Sequence, residues 1–160
     1  MGSVEASVEI PAPLADVWEL LVDPRRWPSW IDGFGSVEWV EGYPAVGGTI
    51  RWHSTPVGRG TVSERVLEME PRRLLRVAYE DPGSSGEVLT VVEIVAEGGA
   101  EPRTKVDQRL EYKLSSGGPL RSLTDRLFIR PQMRRSLQRT LAQLRVEAGD
   151  VMGGFEPPAP

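Results

Sequence analysis

The sequence predicts an α+β domain in which a curved sheet wraps around one long C-terminal helix. Residues 119–149 are the only stretch with the apolar spacing of a long helix. Most of the chain before Gly117 alternates in the manner of short strands, and its 17 glycines and 14 prolines suit a chain with many turns. We therefore expect the helix to cover one face of the sheet.

Apolar residues recur along residues 119–149 at steps of three and four, which places them on one helix face. They are Leu120, Leu123, Leu127, Met133, Leu137, Leu141, Leu144 and Ala148. Residues 117–119 predict the start of the helix, and Gly149 predicts its end. Pro131 cannot bond to the carbonyl of Leu127, so a kink or break is expected near Arg130.

The other face of this helix is rich in arginine. It carries Arg121, Arg126, Arg130, Arg134, Arg135, Arg139 and Arg145 against only Asp125 and Glu147. One interpretation is an anionic partner such as a lipid headgroup, a phosphate or a nucleic acid. The other is a solvated face that pairs with acidic strands elsewhere in the chain.

Size and composition set the broad class of protein. The 160 residues are enough for one domain, expected at residues 1–149, followed by a flexible tail at 150–160. The net charge of −4 argues against a general nucleic-acid binder, and the absence of cysteine excludes disulfides and a cysteine nucleophile. No apolar run is long enough to span a bilayer and no signal pattern opens the chain, so a cytoplasmic protein is expected.

Alternation of apolar and polar residues predicts seven strands before the long helix. They are expected at 4–10, 33–41, 49–55, 59–69, 73–80, 87–95 and 104–114. A helix is expected to run from Leu14 to Asp23, followed by a short helix or turn at 24–31.

Several short sequence motifs accompany this order of elements. They are Ile10-Pro11-Ala12-Pro13 before Asp16-Val17-Trp18, Asp23-Pro24 before Trp27-Pro28-Ser29-Trp30, Val46-Gly47-Gly48-Thr49, and the run VLEMEPRRL at 66–74. Together they resemble the START-like (helix-grip) superfamily, in particular its bacterial polyketide cyclase/dehydrase-like group, over residues 3–148. The resemblance implies a seven-stranded antiparallel sheet that grips the long helix, with a cavity between them. Members include aromatase/cyclases, lipid carriers, hormone receptors and chaperone activators, so the fold does not fix the activity.

The alternation places one set of polar or aromatic residues toward the helix: Trp52, Ser54, Glu64, Tyr79, Thr90, Gln108 and Tyr112. Glu64 lies between Val62 and Val66, and burial would raise its pKa so that it could act as a general acid or base. Tyr79 and Tyr112 are the candidate catalytic hydrogen-bond donors to an enolate or phenolate. The candidate ligand contacts are Trp30, Trp52, Ser54, Thr90 and Gln108. These groups suit proton transfer next to a ketone with no metal and no organic cofactor.

Each of these assignments has an alternative. Glu64 could lie at the rim, pair with Arg51 or Arg76, or be turned outward by a bulge. Trp27 and Trp30 either form a lid or seal the short helix onto the sheet.

Other residues argue against particular chemistry. His53 is the only histidine, and it shares the outward face of its strand with no other metal ligand. No arginine stands out on the inner face, which weakens a close match to the aromatic polyketide cyclases.

The leading hypothesis is a protein that binds a hydrophobic or aromatic small molecule in an internal cavity and catalyses cyclisation or dehydration of a polyketide-type substrate. One alternative is a non-catalytic carrier or sensor for a lipid or quinone. Another is a protein–protein module of the chaperone-activator type. No nucleic acid is expected as a partner, and membrane contact through the arginine-rich helix is a lesser option.

Overall fold

The computed structural model describes residues 1–55, 59–96, 101–115, 118 and 120–153. Seven strands form one antiparallel sheet in the order β1-β7-β6-β5-β4-β3-β2. The strands are β1 (Gly2–Ile10), β2 (Phe34–Glu41), β3 (Thr49–Ser54), β4 (Thr61–Glu70), β5 (Leu74–Glu80), β6 (Ser84–Ala96) and β7 (Arg103–Leu114). The predicted seven-stranded antiparallel sheet is confirmed.

Two short helices follow β1, as the sequence predicts. They are α1 (Leu14–Val22) and a 3₁₀ helix (Pro24–Ser29). The indole of Trp27 donates to the carbonyl of Leu21 at 3.0 Å, and the indole of Trp30 donates to the carbonyl of Leu20 at 3.2 Å. Both rings are buried and occupy carbonyls in the last turn of α1, which would otherwise lack partners. This geometry favours the interpretation that Trp27 and Trp30 seal the short helix.

The C-terminal helical region is interrupted in its first part. It consists of α2 (Arg121–Thr124), a π-helical turn (Asp125–Ile129) and α3 (Arg130–Gly153). The N–H of Arg130 bonds to the carbonyl of Asp125, five residues earlier. Pro131 has no N–H to give to Leu127, and the widened turn immediately before it is the break predicted near Arg130. The helix start predicted at 117–119 lies outside the described residues at 117 and 119.

The end of this helix differs from the expectation. The helix continues through Gly149 to Gly153, so the predicted stop at Gly149 is wrong. An added Cβ at Gly149 would find nothing within 4 Å. The site therefore has room for any helical residue, and glycine at this position is not acting as a cap. Residues 154–160 of the predicted flexible tail lie outside the described residues.

The apolar face of the helical region is buried only in its second half. Leu141 and Leu144 are fully buried, and α3 packs mainly against β1. Leu120, Leu123 and Leu127 are 68%, 53% and 57% exposed, so this part of the predicted apolar face is not covered by the sheet. The side chain that faces the protein in this part is the buried Asp125, which is held by Tyr112 of β7. That bond fixes the rotation of the π-helical turn and leaves the leucines outside.

Candidate functional site

The register of the sheet assembles the candidate site from neighbouring strands. Across β3, β4, β5, β6 and β7, the paired positions are Ile50, Glu64, Tyr79, Gly86 and Tyr112. Side chains in such a cross-strand row lie on the same face of the sheet. Ile50, Tyr79 and Tyr112 are buried, which identifies this face as the inner one.

Glu64 lies on the inner face, half-buried between strands β3 and β5. Its Oε2 accepts a hydrogen bond from Nε1 of Trp52 at 2.9 Å. Burial raises the pKa of Glu64, while the Trp52 hydrogen bond and the charge of Arg59 partly oppose that rise. A carboxyl group in this setting holds a proton more readily than an exposed glutamate.

The outward alternatives for Glu64 do not occur. Arg51 donates to Ser63 at 3.3 Å, and Arg76 forms ion pairs with Glu68 and Glu87 at 3.4 Å. A bulge does interrupt the pairing of β4 with β5, but it lies between Val66 and Glu68, beyond Glu64. The alternation from Val62 to Val66 is therefore intact.

An aromatic cluster lies beside Glu64. Phe34 stacks on Trp52 with ring centroids 4.9 Å apart, and Trp27 meets Phe34 edge-on at 6.0 Å. Trp27 also meets Tyr43 edge-on at 5.4 Å. Such contacts add to the stability given by apolar burial and hold the rings in fixed orientations.

Tyr43 is a functional candidate that the sequence analysis missed. Burial, followed by the negative charge of Glu64, raises the pKa of Tyr43 well above its usual value. The hydroxyl therefore stays protonated, and within the part of the chain that the structure describes it has no hydrogen-bond partner. A protonated hydroxyl near a carboxyl group can donate to a bound oxygen atom. Tyr43 lies in the turn between β2 and β3, where no periodicity marks an inward side chain.

Arg59 is the second missed residue: no arginine stands out on the inner face in the sequence, yet this side chain lies over two inner-face rings. Its guanidinium lies over the ring of Tyr79 at 4.7 Å and over the ring of Trp52 at 5.8 Å. Nε of Arg59 bonds to Oδ2 of Asp81 at 2.7 Å, which fixes the side chain over both rings. Arg59 precedes β4 by two residues, so the alternation of the strand could not indicate its direction.

The two predicted catalytic tyrosines have different surroundings. Tyr79 is buried next to Glu64, and its hydroxyl lies 3.1 Å from Oγ of Ser84. Burial raises its pKa. The hydroxyl of Tyr112 donates to Oδ1 of Asp125 at 2.5 Å, and the other oxygen of Asp125 accepts from Arg130 at 3.2 Å. Tyr112 thus ties the sheet to the π-helical turn, which is a structural use of its hydroxyl.

Gln108 and Thr90 form a separate polar pair on the inner face. Nε2 of Gln108 donates to Oγ1 of Thr90 at 3.1 Å, and both residues are buried. Thr90 lies four residues along β6 from Gly86, a distance of about 13 Å at the usual rise of a strand. The pair is therefore remote from Glu64.

The other predicted ligand contacts form hydrogen bonds with nearby backbone groups. Oγ of Ser54 donates to the carbonyl of Thr55 at 3.0 Å and accepts from the N–H of Gly60 at 2.8 Å, which binds it to the β3–β4 hairpin. The indole of Trp30 is bonded to the carbonyl of Leu20 in α1. His53 is exposed on the outer face, with Nδ1 3.1 Å from Oγ1 of Thr61 and Nε2 3.3 Å from Oε2 of Glu38. The structure thus brings together Glu64, Trp52 and Tyr79, and leaves Ser54, Trp30, Thr90 and Gln108 apart from them.

The described residues contain neither a metal-binding cluster nor a membrane-spanning helix. Within them, no three histidine, cysteine, aspartate or glutamate side chains are grouped so that they could hold a metal ion. No helix in the same part of the chain is long and apolar enough to cross a membrane.

Comparison with known proteins agrees with this architecture. The profile of a family described as "Polyketide cyclase / dehydrase and lipid transport" matches residues 1–149. No curated protein matches the chain.

Solved structures with the same fold are numerous. A Rhodobacter sphaeroides protein superimposes with a TM-score of 0.67 at 21% identity, covering 92% of both chains. The protein TTHA0849 from Thermus thermophilus does so with a TM-score of 0.64 at 21% identity, covering 97% of this chain and all of its own. DynU16, a protein in the dynemicin biosynthetic locus, is 25% identical with a TM-score of 0.57, and the match covers 92% of this chain but 48% of DynU16.

Proposed function

The chain belongs to the polyketide cyclase/dehydrase and lipid transport family, and on that basis we propose that it binds a hydrophobic or aromatic small molecule carrying a ketone and moves a proton on it with Glu64. The molecule would lie against the inner face of the sheet, beside the aromatic cluster. Cyclisation or dehydration of a polyketide-type substrate is the reaction class that this chemistry serves best.

The observation that carries the proposal is the setting of Glu64. Its carboxyl is on the inner face, has a raised pKa, and is held in one orientation by the indole of Trp52. A general acid–base group works best when its pKa is near the working pH, and burial moves a glutamate in that direction. An outward structural glutamate would instead be paired with a cation, as Glu68 is with Arg76.

One carboxyl group is enough for a balanced dehydration of a β-hydroxy ketone. The Glu64 carboxylate removes a proton from the carbon next to the ketone, and the electron pair of that C–H bond forms an enolate. The enolate then expels the β-hydroxyl group, which takes the same proton from Glu64 and leaves as water. A carbon–carbon double bond remains, and Glu64 is again a carboxylate.

The same groups serve an aldol cyclisation. Here the enolate carbon attacks a second carbonyl carbon of the same molecule, and the resulting alkoxide takes the proton from Glu64. In both reactions negative charge develops on the ketone oxygen, where the hydroxyl of Tyr43 or Tyr79 can donate a hydrogen bond. The fixed guanidinium of Arg59 adds a favourable electrostatic field to this part of the inner face.

Apolar residues that remain partly accessible on the inner face support a bound hydrophobic molecule. Val88 and Leu110 lie on the row next to that of Glu64, and Met133 and Leu137 come from α3. All four are packed against the core yet only half-buried. Because α3 packs mainly against β1, these half-buried side chains in the middle of the sheet are the ones that a ligand would cover.

A carrier without catalysis is the second candidate, and one observation favours it. The polar pairs Gln108–Thr90 and Tyr112–Asp125 are each satisfied internally, as in the wall of a storage cavity. The two candidates differ in whether Glu64 is needed for turnover or only for binding.

Native mass spectrometry of gently purified protein, repeated after denaturation, tests the proposal first. A retained organic molecule names the ligand class, and turnover of that class is then compared in the wild type, Glu64→Gln and Glu68→Gln. We expect Glu64→Gln to lower kcat by at least about a hundredfold, the usual contribution of a general acid–base group, with Glu68→Gln unchanged. Unchanged turnover in Glu64→Gln would refute the catalytic role, and ligand retention without turnover in the wild type would identify a carrier.

A further inference from the structure

The most exposed apolar surface among the described residues is on the first part of the C-terminal helical region. Within nine consecutive residues, Leu120, Leu123, Leu127 and Phe128 are 68%, 53%, 57% and 69% exposed. Isolated exposed leucines are ordinary, but a contiguous group of large apolar side chains marks a contact surface. We call these four residues the apolar end.

The surroundings of the apolar end are strongly cationic. Residues 120–146 contain seven arginines and one acidic residue, Asp125, although the whole chain has a net charge of −4. Asp125 is buried and bound to Tyr112 and Arg130, so its charge is not offered to the surface.

Three of these arginines are exposed beside or just beyond the apolar end. They are Arg126, Arg134 and Arg135, and none has an ion-pair partner in the part of the chain that the structure describes. Arg139, further along α3, is neutralised by Asp32 at 3.0 Å. Arg145 near the end of α3 is also exposed and unpaired among the described residues, so three of the four unpaired arginines of this region lie beside or just beyond the apolar end.

We propose that the apolar end and these arginines form a docking surface for an anionic lipid membrane. A bilayer surface offers hydrocarbon for Leu127 and Phe128 and negative headgroups for Arg126 and Arg134 within one interface. An acidic protein with an apolar patch of its own is the alternative occupant, and vesicle binding distinguishes the two. Docking of this kind is peripheral and places the side chains at the level of the headgroups.

The position of the surface links it to the inner face. Asp125 lies within the segment that carries the apolar end, and its carboxylate holds Tyr112, which shares a cross-strand row with Tyr79 and Glu64. In that row Tyr112 is three strands away from Glu64, about 14 Å at the usual spacing of neighbouring strands. The proposal does not depend on whether that site is catalytic or only binds a ligand.

Vesicle flotation tests the charge and apolar components separately. The probes are vesicles of phosphatidylcholine alone and vesicles with about one third phosphatidylglycerol, whose surface is negatively charged. We expect the wild type to float with the anionic vesicles at low salt and to be released by salt. Replacing Arg126 and Arg134 by Gln should weaken binding by about fivefold per arginine, and Leu127→Ser with Phe128→Ser by at least about tenfold.

Two control variants test whether vesicle binding depends on this part of the surface. Val46→Ser removes an apolar residue that is 64% exposed on a different part of the surface, and Arg65→Gln removes an exposed outer-face arginine. Both controls should bind vesicles as the wild type does. Because all substituted side chains are exposed, unchanged thermal melting is expected and confirms that each variant is folded.

Site-directed labelling gives an independent measurement. The chain has no cysteine, so Phe128→Cys and Val46→Cys each accept one environment-sensitive dye. Anionic vesicles should shift the emission to the blue only for the label at position 128. Failure of the wild type to bind anionic vesicles at low salt, or equal loss of binding in the control variants, would overturn the proposal and favour a protein partner for this surface.

Discussion

Nε1 of Trp52 donates a hydrogen bond to Oε2 of Glu64 at 2.9 Å, linking neighbouring strands on the inner face of the sheet. The bond favours the charged carboxylate, whereas burial of Glu64 favours the neutral acid. The pKa of Glu64 is therefore set by two opposing effects, and burial is the larger. Any change to Trp52 should be visible in the titration of Glu64.

Trp52→Phe should raise the pKa of Glu64 further, because it removes the hydrogen bond and keeps an aromatic ring in place. The hydrogen bond stabilises the charged carboxylate, so its loss leaves burial less opposed. Carbon-13 NMR titration of labelled glutamate side chains measures this directly. Trp39→Phe is the control, since Trp39 is 40% exposed on the edge strand β2. An unchanged Glu64 titration in Trp52→Phe would contradict the assigned role of the indole.

Glu64→Gln should make the protein more stable than the wild type at neutral pH and nearly equal to it in acid. The folded-state pKa of Glu64 is above the ordinary value of 4.5. As pH rises through 4.5, the unfolded chain therefore loses this proton first, and the wild type loses stability until the pH passes the folded-state pKa. Glutamine does not titrate and avoids that loss.

Urea denaturation at a series of pH values, from acid to neutral, checks this difference. Glu68→Gln serves as the control, because Glu68 is paired with Arg76 on the outer face and should not show the same trend. A gap between wild type and Glu64→Gln that stays constant with pH would show that folding does not raise the pKa of Glu64.

The inward direction of Glu64 could be predicted from the sequence because nothing interrupts the alternation around it. Val62 and Val66 are both buried, and the bulge in β4 begins only after Val66. Had the bulge occurred two residues earlier, the same sequence pattern would have predicted the wrong face. Strands with one covered face were predictable for the same reason, whereas β2 is exposed at every residue except Phe34 and alternates without covering a face.

Tyr43 and Arg59 could not be predicted because they lie in connections, where side-chain direction follows turn geometry and not periodicity. The exposure of Leu120, Leu123 and Leu127 was unpredictable for another reason. Helical spacing shows that residues share a face, but it does not show whether a partner covers that face. The partner of this turn is Tyr112, through a single bond to Asp125, and that bond has no sequence pattern.

Tyr112→Phe should lower the free energy of unfolding by about 1–3 kcal/mol, because it leaves a buried carboxylate oxygen of Asp125 without its donor. Tyr79→Phe is the comparison. Ser84, the partner of Tyr79, keeps its hydrogen bonds to Asp81. Tyr79→Phe should therefore lower the free energy of unfolding by less than about 1 kcal/mol. Urea denaturation of both variants measures the difference. Equal losses would contradict the assignment of Tyr112 as the link between sheet and π-helical turn.

Asp32→Asn should weaken the attachment of the loop before β2 to α3, while the bond from the N–H of residue 32 to Oγ1 of Thr140 remains. Oδ2 of Asp32 accepts from Ser136 at 2.7 Å and from Arg139 at 3.0 Å, and these bonds lower the pKa of Asp32. We expect the free energy of unfolding to fall by about 1–2 kcal/mol at neutral pH. The loss should fade as pH falls below 3.8 and through the folded-state pKa, since the wild type then loses the same charge.

Arginine variants on α3 provide the control for Asp32. Arg139→Gln should reproduce part of the loss, while Arg134→Gln, on the same helix and without an ion pair among the described residues, should leave stability unchanged. Guanidinium chloride would screen the interaction, so urea is the appropriate denaturant. A destabilised Arg134→Gln would show that the effect is general to the helix.

Two glycine-to-alanine substitutions should change stability in opposite directions. A Cβ on Gly86 would come within 1.9 Å of the carbonyl oxygen of Glu111, so Gly86→Ala must push β6 away from β7 and should be strongly destabilising. A Cβ on Gly149 would meet nothing within 4 Å, inside α3. Gly149→Ala should therefore stabilise the helix by about 0.5–1 kcal/mol. Thermal melting compares the two variants, and a destabilising Gly149→Ala would indicate that the helix ends at Gly149 after all.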